Sequence, residues 1–155
     1  MAFKLSNRSL GKLEGVSEDL VETVKKAIEL TSVDFGVIYG VRSLAQQEKL
    51  FKSNRSQTMK SKHLLQDDGT AHAVDLMAYQ DGEPCWEIAV YDEIADAMKE
   101  AAVRTGTKIG WGACWHIDDL RDWEGTAEEA MNAYIDLRRS QSRRPFIDGP
   151  HFQKN

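Results

Sequence analysis

The chain has 155 residues, of which 41% are hydrophobic and 29% are charged, a composition typical of a globular protein with one core. Its formal net charge of −5 argues against a general affinity for nucleic acid or for anionic membrane surfaces. The sequence has no run of about 20 apolar residues and no apolar segment near its N-terminus, so we expect neither stable membrane insertion nor a secretory signal. The two cysteines, Cys85 and Cys114, are not in a CxxC spacing, and we expect free thiols in a reducing compartment.

The predicted secondary structure mixes helices and strands without a regular alternation. Two capping boxes, Ser43 with Gln46 and Thr126 with Glu129, mark helix starts. Alternating apolar residues indicate strands. In chain order the predicted elements are a helix after Ser17, a strand over 34–41, a helix after Ser43, a loop over 53–70, a strand over 71–79, a helix over 88–104, a strand over 108–115, a helix from Thr126 to about Arg139 and an extended segment over 146–153.

This order of elements favours an α+β fold, in which helices pack on a small, mostly antiparallel sheet. No repeat, low-complexity tract or Pro/Gly-rich linker divides the chain, so we predict a single domain over residues 1–155. The polar loop over 53–70 is long for a compact domain, and such loops are usually functional or mobile.

Histidines and one strand carboxylate are the candidates for metal chemistry. Asp75 lies in an otherwise apolar strand, where burying a carboxylate is unfavourable unless it is paired or binds a metal. Side chains alternate along a strand, so His72 and Asp75 should point to opposite faces, which argues against His72 as a partner. His63 ends the polar loop, and His151 follows a stiff Gly-Pro bend.

Two histidines and a carboxylate suit zinc with one coordination position left for water. His63, Asp75 and His151 therefore form a candidate zinc site, and Asp148 could act as general base toward the bound water. The alternative is that 148–153 forms an ordinary surface turn with a solvated aspartate. His116 is a rival third ligand.

Several segments resemble the D-Ala-D-Ala carboxypeptidase-like zinc metallopeptidases. Residues 61–75 resemble the S-x-H and G-x-A-x-D signatures of that family, and residues 148–153 resemble its closing D/E-x-x-H motif. Residues 39–46 resemble its strand-to-helix segment with an arginine and a glutamine, and residues 111–115 resemble its WGGDW stretch. The order and spacing of these segments, which cover nearly the whole chain, are most similar to the phage L-alanyl-D-glutamate endopeptidases, endolysins that cut the peptidoglycan stem peptide.

The resemblance implies a hedgehog/DD-peptidase-like fold and a zinc-dependent endopeptidase that cleaves the L-Ala–D-Glu bond of bacterial peptidoglycan. It also implies a monomer that is made in the host cytoplasm and acts on the wall in the periplasm after holin-mediated release. The residues it assigns fall into three groups. They are the Zn²⁺ ligands His63, Asp75 and His151, the catalytic residues Asp148 and Arg42, and the substrate-binding or supporting residues Ser61, Gln46 and Trp115.

The sequence departs from the family pattern at three places. Ala71 replaces the glycine of G-x-A-x-D, and Cys114 replaces the aspartate of WGGDW. The connection between His63 and Asp75 is lengthened by residues 64–70, which loop-closure entropy tolerates well. Gly69 could supply the bend that the missing glycine would give.

Two other functions stay open from the sequence. One is a D-Ala-D-Ala carboxypeptidase or dipeptidase with the same zinc site, and the other is a non-catalytic, zinc-stabilised wall-binding or phage structural module. Asp148 argues against the second, because a structural zinc site needs no base beside it. The acidic run over 118–124 could bind a cation or be a solvated loop. The arginines over 138–144 could complement the helix dipole or attract anionic wall polymers.

Overall fold

The computed structural model describes residues 2–56 and 58–155, so Met1 of the predicted domain and Gln57 of the predicted loop lie outside the described residues. The helices are α1 (Asn7–Lys12), α2 (Glu18–Leu30), α3 (Leu44–Lys52), α4 (Ile88–Thr105) and α5 (Ala127–Ser140). The strands are β1 (Asp34–Tyr39), β2 (Ala73–Gln80), β3 (Glu83–Cys85), β4 (Ile109–Trp111) and β5 (His151–Lys154). A short 3-10 helix covers Leu120–Asp122.

The strands form one sheet in the order β1-β2-β5-β4, and β3 pairs with the end of β2 beside β5. Each of these strand pairs is antiparallel. The prediction of an α+β fold with a mostly antiparallel sheet is therefore confirmed. The free cysteines are also confirmed, since neither Cys85 nor Cys114 is in a disulfide.

The hydrophobic core lies between one face of the sheet and helices α2 and α4. Alternation along β2 turns Val74, Leu76 and Ala78 into this core, while Asp75 and Met77 face the other side. Burying one large apolar side chain contributes about 1.5–3 kcal/mol, so this layer holds the sheet in place. Its largest fully buried members include Leu20, Val24, Tyr91, Ile94, Met98 and Phe152.

Helix ends follow the sequence signals closely. Both predicted capping boxes are present, at Ser43 and at Thr126. Gly106 ends α4 in the left-handed conformation, with φ of 72°, which glycine adopts without strain. Within the described residues, no helix combines the length and apolar content needed to cross a bilayer.

The strand predictions were wrong at several ends. The strand predicted over 108–115 stops at Trp111, because the chain then turns to bond the 148–151 turn. The segment predicted as extended over 146–153 pairs only from His151 onward. The predicted strand over 71–79 begins at Ala73, and the one over 34–41 ends at Tyr39. The short elements α1 and β3 had not been predicted at all.

Candidate active site

Strand pairing brings two of the predicted ligands together. Asp75 of β2 lies directly opposite His151 of β5 in the antiparallel register. Directly opposed residues project from the same face of a sheet with their Cβ atoms about 4.5–5.5 Å apart. The register therefore places this carboxylate and this imidazole side by side on the face away from the helices.

The third predicted ligand, His63, reaches the site from the long loop. Its ring Nδ1 lies 2.8 Å from the carbonyl oxygen of Gly40, and its own carbonyl accepts from the backbone N–H of Arg42 at 2.8 Å. Ser61 turns the chain, because its Oγ accepts from the backbone N–H of His63 at 3.1 Å. Gly40 itself packs tightly on the end of α1, since a Cβ there would lie 2.1 Å from the Lys12 carbonyl oxygen.

The lengthened connection closes on itself before it reaches β2. Gly69 has φ of 81° and donates its N–H to the carbonyl of Gln66. The backbone N–H of Gln66 donates to the carbonyl of Thr70. His72 donates its backbone N–H to the Lys62 carbonyl, so the two ends of the inserted turn meet. The extra residues thus form a separate turn, and His63 and Asp75 still come together.

The three predicted ligands form a compact group, in which both imidazoles point toward the Asp75 carboxylate. Asp75 Oδ1 lies 3.3 Å from His63 Nε2 and 3.3 Å from His151 Nδ1. One potential ligand atom from each residue lies within 4.8 Å of the others, and this group could hold a metal ion. His63 and His151 are buried, and Asp75 is mostly buried.

The protonation pattern of His63 fits a bound cation. The Gly40 carbonyl can only accept, so neutral His63 carries its proton on Nδ1 and points the lone pair of Nε2 toward Asp75. This buried Nε2 makes no hydrogen bond to any described residue. A lone pair that faces a carboxylate oxygen is unfavourable unless positive charge lies between them. The residues therefore fit a metal ion, the group that their types predicted.

His151 is oriented in the same way by a chain of two amides. Asn155 Nδ2 donates to the backbone carbonyl of Asp118 at 2.7 Å, and Gln153 Nε2 donates to Asn155 Oδ1 at 2.7 Å. Gln153 Oε1 then accepts from His151 Nε2 at 2.9 Å. The Asp118 carbonyl can only accept, so it sets the donor and acceptor roles of Asn155, Gln153 and His151 in turn. Neutral His151 therefore carries its proton on Nε2, and its Nδ1 is left as the potential ligand atom.

The charges in the site also favour a cation. Burial opposes the ionised form of Asp75, yet the neighbouring imidazoles of His151 and His63 hold the pKa of Asp75 well below its usual value. Burial likewise works against protonated His151, but the adjacent Asp75 carboxylate raises the pKa of His151 overall. Both shifts indicate a pocket that draws positive charge to the space between these side chains.

Arg42 lies beside the ligand group on the segment after β1. Its Nη2 is 3.9 Å from Asp75 Oδ2, and its Nη1 donates to Gln47 Oε1 at 2.7 Å. Gln46, the glutamine singled out in the sequence, completes the capping box of Ser43 at the start of α3. The sequence reasoning missed Gln47, although its spacing of three from Leu50 places both on the inward face of α3.

Asp148 is held by a turn that is fastened to β4. Its backbone N–H donates to the Gly112 carbonyl, and the Gly112 N–H donates to the His151 carbonyl, each at 2.8 Å. Trp111 Nε1 donates to the Gly149 carbonyl at 2.7 Å. A Cβ at Gly112 would lie 2.2 Å from the Asp148 carbonyl oxygen, so only glycine allows this approach. The Trp-Gly pair of the 111–115 segment thus fixes the turn that carries Asp148 and His151.

The electrostatic surroundings of Asp148 suit proton transfer. Burial raises the pKa of Asp148, and the negative charge of Asp75 raises it further. The positive charges of His151, His63 and Arg42 act in the opposite direction but do not cancel the rise. A carboxylate whose pKa is raised toward neutral is a stronger proton acceptor than an ordinary aspartate.

The ligand group and Asp148 open into a cleft of about 620 Å³. Trp115 lines one wall, with its ring 5.3 Å from that of His151 and stacked on Phe146 at 6.0 Å. His116, the rival ligand, instead stacks on Tyr134 and is not part of the metal-binding group found among the described residues. Ser61 also faces this cleft.

The other polar residues that the sequence singled out make contacts outside the metal-binding group. His72 Nε2 lies 2.9 Å from Asp68 Oδ2 in the inserted turn. In the acidic run, Asp119 forms an ion pair with Arg121 through both carboxylate oxygens. Residues 118–124 supply no metal-binding group of three within the described chain. In the basic cluster, Arg138 lines the cleft and donates to the Arg144 carbonyl.

Comparison with known proteins agrees with this geometry. The family model of the phage L-alanyl-D-glutamate peptidases matches residues 1–154. The L-alanyl-D-glutamate peptidase of Escherichia phage T5 is 28% identical over 120 residues, which cover 75% of this chain and 84% of that protein. The crystal structure of the L-Ala D-Glu endopeptidase ChiX of Serratia marcescens aligns with a TM-score of 0.71 and 30% identity, over 99% of this chain and 91% of that one. The resemblance in the sequence is thereby confirmed, and the chain belongs to the phage L-alanyl-D-glutamate peptidase family.

Proposed function

We propose that this protein is a zinc-dependent endopeptidase that hydrolyses the L-Ala–D-Glu bond of the peptidoglycan stem peptide. The observation that carries the proposal is the group of His63, Asp75 and His151, which we call the metal group. It opens into a cleft beside Asp148. Membership of the family supports the choice of bond. A buried metal group that opens into a substrate-sized cleft is typical of catalytic metal sites, since structural sites are closed.

The choice of zinc rests on the donor set and its spacing. Two imidazoles and one carboxylate are a common catalytic zinc set. With metal–ligand bonds of about 2.0–2.1 Å, neighbouring ligands of a tetrahedral site stand about 3.3–3.4 Å apart. The two distances from Asp75 Oδ1, both 3.3 Å, agree with that spacing.

In the proposed mechanism, each residue has a separate task. Bound zinc would polarise the peptide carbonyl and lower the pKa of a bound water. Asp148 accepts the proton of the attacking water and then donates it to the leaving amine, a role that suits its raised pKa. Arg42, held by Gln47, directs its guanidinium toward the negative charge that develops on the carbonyl oxygen. Ser61 and Trp115 shape the loop and the cleft wall.

The cellular setting follows from this substrate. We propose that the protein is made in the host cytoplasm and reaches peptidoglycan in the periplasm through a holin pore, where it acts as an endolysin. We expect a monomer, because the ligands and the proposed base all come from one chain. The predicted single domain over 1–155 belongs to the same proposal.

The Asp148→Asn substitution tests the catalytic role. It keeps the size of the side chain but removes its basicity, so we expect cleavage to fall by at least about 100-fold while zinc content and thermal stability stay unchanged. Asp136→Asn, on the exposed side of α5, is the matched control and should keep full activity. Normal activity of Asp148→Asn would show that another group takes the proton.

Mass spectrometry of digested muropeptides tests the bond itself. We expect new termini at L-alanine and D-glutamate. Release of free D-alanine from an intact L-Ala–D-Glu linkage would instead identify a D-Ala-D-Ala carboxypeptidase or dipeptidase with the same metal site.

A further inference from the structure

The cleft does not end at the metal group. Next to the cleft lies another hollow of about 660 Å³, which we call the second hollow. The two spaces share four lining residues, which we call the saddle: Tyr39, Arg42, Leu50 and Arg55. The second hollow is bounded by the end of α1, the segment after β1 and the α3 helix, and its remaining lining includes Lys12, Glu14, Val41, Gln46, Lys49 and Ser53.

The charge of the two spaces is opposite to that of the whole chain. Together they are lined by 7 of the 20 lysines and arginines but by only 3 of the 25 acidic residues. Two of these three acids are Asp75 and Asp148, which already belong to the proposed catalytic group. The cations are Lys12, Arg42, Lys49, Arg55, Lys60, Lys62 and Arg138. A cationic cleft in an acidic protein is complementary to an anionic ligand.

The cations of the second hollow are free to bind such a ligand. Within residues 2–56 and 58–155, no carboxylate lies within 4.0 Å of the charged atoms of Lys12, Lys49 or Arg55. Tyr39 and Val41 add apolar surface beside them, since their side chains are 55% and 42% exposed. The second hollow therefore offers positive charges without a carboxylate partner next to the exposed apolar surface of Tyr39 and Val41.

The saddle between the spaces is a built structure. Gln47 is completely buried, and both polar atoms of its side-chain amide are hydrogen-bonded. Its Oε1 accepts from Arg42, and its Nε2 donates to Ser56 Oγ at 2.7 Å and to the carbonyl of Thr58. A buried amide with all these bonds holds its neighbours in one geometry. It ties the guanidinium of Arg42, which belongs to the saddle, to Ser56 and Thr58, which line the cleft at the metal site.

We infer that the second hollow is a substrate subsite that binds a carboxylate of the stem peptide at a distance from the scissile bond. The peptide crosses the saddle in an extended form, and Lys12, Lys49 and Arg55 bind the free carboxylate. This inference rests on the proposed function and adds a specificity determinant to it. It makes the protein selective for stem peptides whose carboxylates are free over those in which they are amidated.

Binding of two matched muropeptides tests the subsite. The peptides differ only in whether the carboxylates outside the scissile bond are free or amidated, and calorimetry with the zinc-loaded Asp148→Asn chain gives Kd without cleavage. We expect the amidated peptide to bind roughly 3- to 20-fold more weakly, the scale of two or three exposed charge contacts. The double substitution Lys12→Gln/Lys49→Gln should weaken the free-carboxylate peptide by a similar factor and leave the amidated peptide unchanged.

The control separates a subsite from general charge attraction. Lys25→Gln/Lys52→Gln removes two exposed charges from α2 and from the same α3 helix, but neither residue lines the second hollow. We expect this control to bind both peptides normally. Equal Kd values for the two peptides, or an equal loss in the control, would overturn the inference. The bond cut by the unsubstituted protein is mapped separately, so a cut at another bond would contradict the proposed function while the binding comparison still tests the subsite.

Discussion

At the scale of single residues, carbonyl groups decide which nitrogen of each histidine faces the metal group. For His63 the Gly40 carbonyl does this directly, and for His151 the Asp118 carbonyl acts through Asn155 and Gln153. A partner that fixes the ring of a metal-binding histidine raises its affinity for the metal. The amide chain is thus part of the site, although none of its members is a ligand.

Substitution of Gln153 tests this role. Gln153→Ala removes the acceptor for His151 Nε2, so zinc affinity should fall by about 10-fold or more. Gln153→Glu keeps an acceptor at that position and should retain the affinity. Zinc competition with a chromophoric chelator measures both, and Gln80→Ala, at the exposed end of β2, is the control. An unchanged zinc Kd in Gln153→Ala would mean that strand pairing alone orients His151.

The same scale shows why part of the site could not be predicted from the sequence. His63, Asp75, His151 and Asp148 stand in motif-like segments, so a resemblance suffices to single them out. Gln47 acts only because the loop after α3 folds back and brings Ser56 and Thr58 against it, a contact that no local pattern records. For Gln153 a signal did exist, since a residue two positions after His151 shares its strand face.

At the scale of elements, the helices that the sequence predicts are confirmed, because their apolar pattern extends over several turns or their first turn carries a capping box. The core stripes of α2 and α4 and the capping boxes of α3 and α5 are readable in the sequence. The strands were harder, because β3 and β4 have three residues each and exist only through their partners. Where β4 ends depends on the bonds of Gly112 to a turn almost 40 residues later, which no local pattern records.

The contact between α4 and α5 contains an unfavourable charge. Burial raises the pKa of Asp92 to about 6, helped by repulsion from Glu128, Asp96 and Glu93. A carboxyl whose folded pKa lies above its unfolded value of 3.8 destabilises the fold only where it must ionise. The penalty is absent below about pH 4, grows as the pH rises, and is complete above about pH 6.

Asp92→Asn should therefore stabilise the protein at pH 8 by about 1–2 kcal/mol and have little effect at pH 4. Urea unfolding at the two pH values measures the difference. Glu100→Gln, on the exposed face of the same helix, provides the control. Equal stabilisation at both pH values would contradict the electrostatic cause.

At the scale of the whole molecule, the metal group joins distant parts of the chain. Its three members come from the long loop, from β2 and from β5 at residues 63, 75 and 151. No such group exists in an unfolded chain, so the free energy of metal binding adds to the free energy of unfolding. A metal bound there would couple the loop to the sheet.

Zinc should raise the midpoint of thermal unfolding. At a free concentration of about 100 times Kd, the gain is about 2.7 kcal/mol, which corresponds to roughly 5–10 °C for a chain of this length. Differential scanning calorimetry with zinc and with EDTA measures the shift. His116→Ala should keep it and His63→Ala should lose it. A full shift in His63→Ala would place the zinc elsewhere.

The proximity of the Trp115 ring to His151 has a practical consequence. Of the four tryptophans, this is the one whose indole lies against a member of the metal group. Its fluorescence should therefore respond to changes in the charge and the occupancy of the neighbouring imidazole. We therefore expect Trp115 to serve as an intrinsic optical reporter, by which metal exchange and substrate entry could be followed in real time without an added dye.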